Sequence, residues 1–196
     1  MKLLPYGPRA VLAELDSLAE VMATASAWRA VGLPCAIEIV PAARTVLVVH
    51  DGTLDLDLLV AAEPGVDVAG SRLVTIDVTY EGVDLAEVAA ATGLSVDGVV
   101  ELHSSAEYTV AFCGFMPGFA YMVGLPLRLQ LPRRVTPRTR VPAGSVAIAA
   151  EFAGVYPRES PGGWHLLGCT EAELWNDAAT PPALLAPGTN VRFRPT

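Results

Sequence analysis

Four arginines, Arg133, Arg134, Arg138 and Arg140, stand close together in a stretch from Phe112 to Trp164 that is dense in Gly, Pro and aromatic residues. In an extended segment the spacing Arg134-x-x-x-Arg138-x-Arg140 puts three guanidiniums on one face, because side chains alternate along a strand. Such a set suits a carboxylate or a phosphorylated intermediate, which the planar guanidinium meets with paired donors. The adjacent Ala143-Gly144-Ser145-Val146 turn adds backbone N–H donors. The plainer alternative is a charged, solvated edge strand, and Pro137 and Pro142 fit that equally. A second group comprises Tyr156, Ser160, Gly162 and Gly163. Its Ser-Pro-Gly-Gly-Trp turn leaves backbone amides approachable for an oxyanion or carboxylate. Ser160 lacks a G-x-S-x-G elbow, so a serine nucleophile is not expected. Tyr156 and Trp164 also read as core aromatics with one polar handle, and Pro117, Gly118, Phe119 and Tyr121 as cavity wall. His103, near the end of a predicted helix, reads as a general acid or base titrating near about pH 6.5, or as a cap for the last helical carbonyls.

Other chemistries are argued against. His50, His103 and His165 are far apart, with no H-x-x-x-H or H-E-x-x-H pair, so no metal site is expected. No G-x-x-x-x-G-K-[ST] loop for ATP occurs. The three cysteines, Cys35, Cys113 and Cys169, form no C-x-x-C, so neither a disulfide framework nor a zinc knuckle is expected. Net charge is −8, with 5 basic against 16 acidic residues up to position 127 and 8 against 5 beyond it. An acidic chain with one Arg cluster is a poor nucleic-acid binder but a reasonable binder of a small anion. No charge-free run approaches the ~20 residues that span a bilayer. The opening MKLLPYGPRAVLAEL has no sustained apolar run before Arg9, so no signal peptide is expected and the cytoplasm is the default. Charged residues are only 17% of the chain, which agrees with a face buried against another protein chain.

The elements that must position these residues divide into two textures. Arg9–Leu15 reads as a strand, and Ser17 with Glu20 opens a helix running to about Val31. Strands at Ala36–Val40 and Thr45–His50 follow, then a helical stretch at Leu54–Ala62 ended by Glu63-Pro64-Gly65, then an alternating strand at Leu73–Tyr80. This β-α-β-β-α-β order suggests a ferredoxin-like unit. Asp84 is placed to cap Leu85–Ala91, and Ser95 a helix ending near His103. From Glu107 the chain reads as short strands, Tyr108–Phe112, Leu127–Leu131, Ser145–Ala149, Trp164–Leu167 and Val191–Phe193, with a brief helical turn at Thr180-Pro181-Pro182. Many short strands between turns argue for a small β-barrel. The expected class is α+β, with a ferredoxin-like domain over 1–82 and a barrel domain over 83–196.

Three ordered motifs carry a family resemblance: PGF-A-Y-x-x-GL at Pro117–Leu125, PR-x-R-VPAGSV-x-IA at Pro137–Ala149, and G-V-YP-x-x-SPGGW-x-L-x-G at Gly154–Gly168. Together they resemble the KipI/PxpB family, also labelled allophanate hydrolase subunit 1 and similar to one part of the carboxyltransferase domain of urea amidolyase. The resemblance implies a cyclophilin-like barrel. It implies the B subunit of an ATP-dependent 5-oxoprolinase, which opens the lactam of 5-oxoproline to glutamate with separate A and C subunits. ATP is then a co-substrate that phosphorylates the lactam oxygen. Within that enzyme reading, Arg138 and Arg140 are assigned to anion binding, His103 and Tyr156 to proton handling, and Arg134, Pro117, Gly118, Ser160, Gly162 and Gly163 to the surroundings of the substrate. The resemblance also implies two alternatives, a KipI-type inhibitor of a sensor histidine kinase and one component of an allophanate- or urea-processing hydrolase. No Met-Lys-Met occurs, so any biotin sits on another protein.

The chain departs from the family pattern at two places. Phe152 and Ala153 stand where Gln-Thr is common, and Cys169 stands where the pattern has Arg. If those polar groups touch substrate, their loss costs on the order of 1–3 kcal/mol each where partners stay buried.

Overall fold

The computed structural model describes residues 1–52, 54–62 and 72–196. The chain divides into two units, Met1–Gly70 and Ser71–Thr196. In the first, β1 (Lys2–Pro5), β2 (Ala10–Glu14), β3 (Ala36–Pro41) and β4 (Thr45–His50) form one sheet in the order β1-β2-β4-β3, each neighbour antiparallel. Helix α1 (Leu18–Val31) joins β2 to β3, and α2 (Leu56–Ala61) follows β4. The start of α1 is fixed as its sequence predicts. Ser17 Oγ accepts from the Glu20 N–H at 3.2 Å, and the Glu20 carboxylate reaches back to the Asp16 N–H at 3.3 Å. One face of α1 buries Val21, Ala25 and Trp28 against Ala13, Val46 and Val48, and Trp28 Nε1 donates to the Leu59 carbonyl at 3.0 Å.

The ferredoxin-like reading needs correction. β2-α1-β3 with β4 between its strands is present, but the expected last strand is not in this sheet. Leu73–Val78 instead pairs in parallel with Asn190–Pro195 in the second unit, and β1 takes the edge beside β2. The alternation at 73–80 is a local signal: it says strand, not which sheet. The unit boundary therefore falls at 70/71 rather than 82/83. The expected helix stop at Glu63-Pro64-Gly65 lies outside the described residues.

The second unit contains β5 (Leu73–Val78), α3 (Leu85–Thr92), α4 (Val96–Ser104), β6 (Tyr108–Cys113), β7 (Ala120–Val123), β8 (Arg138–Val141), β9 (Ser145–Ala149), β10 (Phe152–Val155), β11 (Ser160–Gly162), β12 (His165–Cys169) and β13 (Asn190–Pro195). Seven strands run in the order β12-β9-β10-β7-β6-β13-β5, and β8 with β11 makes a separate ribbon. The two edges of the large sheet nearly close into a barrel. Thr79 and Cys169 exchange backbone hydrogen bonds of 2.9 Å each way, and the Gly82 N–H donates to Leu167 O at 3.0 Å. Gly168 permits this approach, because a Cβ there would lie 2.4 Å from the Thr79 carbonyl oxygen. Val74, Ile76, Val110, Met122, Ile148 and Leu167 fill the interior, with Leu85 and Val88 of α3 and Val99 of α4 packed against it. Closing the sheet removes most of the unpaired edge that an open sheet presents.

Ser95 caps α4 by accepting from the Gly98 N–H at 3.0 Å. Leu127–Leu131, expected as a strand, is a 3₁₀ turn at Leu127–Leu129 that buries Leu129. No helix forms at Thr180–Pro182; instead Trp175 bridges to Ala183. Strands β7, β10 and β11 have only three or four residues each, too few to show a period in the sequence.

Candidate functional site

The Gly/Pro-rich stretch builds an aromatic cavity of about 90 Å³, lined by Phe115, Phe119, Tyr121, Tyr156 and Trp164 together with Arg133 and the Pro161-Gly162-Gly163 backbone. Strand β7 and the loop before it supply Tyr121 and Phe119, while Tyr156 follows β10 and Trp164 precedes β12. The rings pack edge to face. Phe119 lies 5.1 Å from Tyr121, 5.3 Å from Tyr156 and 5.4 Å from Trp164, and Tyr121 lies 5.6 Å from Trp164. Phe115 covers the mouth, 60% exposed, with its backbone in the left-handed region at φ +69°. A bulky residue held there costs about 1–3 kcal/mol, a cost that recurs at ligand sites. The floor is the Tyr156 phenol against Gly162, where a Cβ would stand 2.3 Å from the phenol oxygen. Burial raises the phenol pKa; the Trp164 backbone and the charges of Arg133 and Arg138 act the other way. Tyr156 is therefore a neutral phenol at physiological pH, able to donate a hydrogen bond.

The arginines part company. Arg134 Nη1 meets Asp84 Oδ1 at 2.9 Å and Glu87 Oε2 at 2.5 Å, and Arg138 Nη2 meets the same Asp84 oxygen at 2.5 Å. Asp84 Oδ2 accepts the Leu166 N–H at 2.8 Å, so this 1% exposed carboxylate ties both arginines to the start of β12. Two guanidiniums face two carboxylates, so the cluster carries no surplus charge to attract an anion. Arg134 Nε and Arg138 Nη1 are nonetheless buried without a partner among the described residues. Arg140 goes elsewhere, pairing with Glu159 at 2.7 Å on the surface. The single face expected for Arg134, Arg138 and Arg140 thus holds only the first two. Asp84, expected as a helix cap, makes no capping bond.

Arg133 belongs to the arginine set of the sequence but had no role assigned there. It lines the cavity and has no ion-pair partner among the described residues. Its backbone is pinned on both sides: His165 Nε2 donates to Pro132 O at 2.9 Å, and the Arg134 N–H donates to Gly163 O at 2.8 Å.

His103 is not part of this site. It is fully buried among Tyr80, Tyr108 and Phe193, and its Nδ1 lies 2.7 Å from the Tyr80 hydroxyl. Burial lowers its pKa to about 3, so it stays neutral. A ring sealed from solvent cannot pass protons to a substrate, which corrects the general acid/base expectation. The carbonyl-capping reading fails as well, since the ring bonds Tyr80. Tyr156, Gly162 and Gly163 line the cavity. Ser160 lies in β11 with its Oγ buried and unpartnered among the described residues. Pro117 and Gly118 shape the loop behind Phe119, where a Cβ on Gly118 would sit 2.9 Å from Trp175 Cβ. The two unusual residues are not lining: Phe152 backs the wall, 5.5 Å from Tyr121, and Ala153 is fully buried. Cys169 sits at the barrel closure. Among the described residues no cluster of three His, Cys, Asp or Glu side chains is placed to hold a metal ion, and no helix is long and apolar enough to cross a membrane.

With this geometry in place, comparison with known proteins is informative. The family model of the carboxyltransferase domain, subdomains C and D, matches residues 1–185. The B subunit of the Escherichia coli O157:H7 5-oxoprolinase is 42% identical over 208 residues, covering 96% of this chain and 93% of its own. The B subunit of the Bacillus subtilis 5-oxoprolinase is 44% identical over 125 residues, covering 62% of this chain and 52% of its own. Among solved structures, TTHA0988 superposes with a TM-score of 0.81 at 34% identity over 96% of this chain, which spans 40% of that longer chain. The K. lactis urea amidolyase gives a TM-score of 0.75 at 20% identity over 99% of this chain and 15% of its own, a likeness of fold.

Proposed function

The chain belongs to the family of the carboxyltransferase domain, subdomains C and D, and from that premise we propose that it is the B subunit of a 5-oxoprolinase, a hydrolase component that works together with partner chains. The observation that carries this reading is the 42% identity to the E. coli 5-oxoprolinase B subunit across 96% of the chain. The kinase-inhibitor and allophanate readings are not favoured by these relatives. The nearly closed barrel is taken as the cyclophilin-like part, and the partners as the A and C subunits of a cytoplasmic hetero-oligomer.

The reaction adds water across the lactam amide. The C–N bond breaks, the water oxygen joins the carbonyl carbon, and the freed nitrogen takes up protons to become the ammonium group of glutamate. An unstrained amide resists this, so ATP serves as the co-substrate. Its terminal phosphoryl group passes to the lactam oxygen with release of ADP, one water adds to the activated carbon as the C–N bond breaks, and a second water releases the phosphoryl group as phosphate. A cavity of about 90 Å³ suits one small ring and not a nucleotide, so ATP is assigned to a site other than this cavity. This chain's contribution is positioning and charge: aromatic walls to exclude water from the ring, and a neutral Tyr156 hydroxyl to donate toward the polarised oxygen.

The test is co-expression with a candidate C subunit, addition of a candidate A subunit, and measurement of glutamate released in the presence of ATP and 5-oxoproline. Release only when this chain is present is the expected result. A stable complex that releases no glutamate would remove 5-oxoproline as its substrate.

A further inference from the structure

Arg133 is the uncompensated cation, among the described residues, of a cavity otherwise made of ring faces and glycine backbone. Its place is set by four neighbours. His165 and Gly163 hold the backbone on either side of it, while Asp84 and Glu87 hold the guanidinium next along the chain. Arg134 and Arg138, the cations that looked fit for an anion, are charge-balanced by those two carboxylates. A guanidinium without a counterion at the rim of an aromatic pocket favours a ligand with a planar anion on one end and a small apolar ring on the other.

We infer that this cavity is a binding site for a small cyclic carboxylate, with the ring between Phe119, Tyr121, Tyr156 and Trp164 and the carboxylate on Arg133. Resting on the 5-oxoproline reading, this places the lactam ring in the cavity and makes Arg133 the residue that selects for its carboxylate. The tyrosine hydroxyl then lies inside the pocket for the ring's own polar atoms, leaving the carboxylate at the rim. Arg133's charge also acts on the Tyr156 phenol, in keeping with the two groups sharing one cavity. The cavity's size excludes ligands much larger than one ring. The cost of losing the guanidinium falls on ligands with a carboxylate and spares those without one.

The test compares Arg133→Gln with the wild type and with Arg158→Gln, an exposed arginine outside the cavity, in the assembled complex and in the full chain alone. In the complex, Arg133→Gln raises KM for 5-oxoproline by about tenfold or more, with a smaller change in kcat. Titration calorimetry of the full chain gives the same loss for 5-oxoproline, while 2-pyrrolidinone, the ring without the carboxylate, binds weakly and equally to both proteins. Glutamate release with an unchanged KM in Arg133→Gln overturns the site and leaves the 5-oxoprolinase assignment standing. A complex without turnover whose chain still binds 5-oxoproline through Arg133 removes the assignment and keeps the site. No binding of 5-oxoproline by the chain or the complex overturns the site.

Discussion

Two aromatic clusters in the second unit each enclose a group that can carry a proton, and they differ in what surrounds it. Around His103, Tyr80, Tyr108 and Phe193 close the ring off completely, and no charged side chain among the described residues pairs with it. Around Tyr156, the rings leave a cavity whose lining also includes the Gly162-Gly163 backbone and Arg133. The residue types overlap, but access and charge do not. Burial in both cases holds the neutral form, lowering the histidine pKa and raising that of the phenol. Tyr156 is itself only 2% exposed, but it lines the cavity, whereas His103 has no exposed surface at all. Of the two residues assigned to proton handling, the histidine is thus part of the packing here, while the tyrosine lines the cavity.

Variants can break or sharpen this contrast. The largest effect is expected at Asp84, which supports the cavity from behind. Asp84→Ala strands Arg138 and the Leu166 N–H and leaves Arg134 only Glu87, at a cost of about 3–5 kcal/mol in chemical denaturation, because a largely buried charge left without its partner is far less tolerable than an exposed one. His103→Phe is next. It removes the bond to Tyr80 in a space that another ring fills, costing about 1–2 kcal/mol at neutral pH. It also changes the acid limb of stability. His103 has its folded pKa depressed to about 3 from the ordinary 6.5. Its stabilising contribution is therefore whole above pH 6.5 and is lost as pH falls toward 3. The wild type should lose more stability than His103→Phe across that window when unfolding is followed as a function of pH. Arg140→Ala gives the smallest effect. Its pair with Glu159 is solvated, so neither the unfolding midpoint nor ligand binding should move measurably.

Much of the fold was legible where the signal was local. Ser17 and Ser95 were read as helix caps from their own sequence neighbours and act as such. The strands on either side of Pro41 and, in the second unit, those at Tyr108–Phe112, Ser145–Ala149, Trp164–Leu167 and Val191–Phe193 were readable from β-type runs between turns, whereas β7, β8, β10 and β11 were not. What failed was long-range partnership. Leu73–Val78 has a strand's alternation, yet its partner lies more than a hundred residues on, at Asn190–Pro195. Asp84 sits where a cap would, but β12 and two arginines compete for its oxygens and win, because a buried carboxylate needs partners of opposite charge. The site was half legible for the same reason. Tyr156, Gly162 and Gly163 follow from the turn itself, whereas choosing Arg133 over Arg134 and Arg138 required knowing which carboxylates fold beside them. One signal was present: Pro132 precedes Arg133 and lacks the N–H that a strand ladder needs, so Arg133 need not share a face with the arginines after it.

The account stands on the cavity, and not the sealed histidine, being the working site. The direct measurement is kcat/KM for glutamate release from 5-oxoproline by the assembled complex, with Tyr156→Phe and His103→Phe compared at a temperature where both are folded. A fall of about tenfold or more in Tyr156→Phe, with His103→Phe within about twofold of the wild type, is the predicted result. The reverse order, with His103→Phe inactive and Tyr156→Phe unaffected, would contradict it.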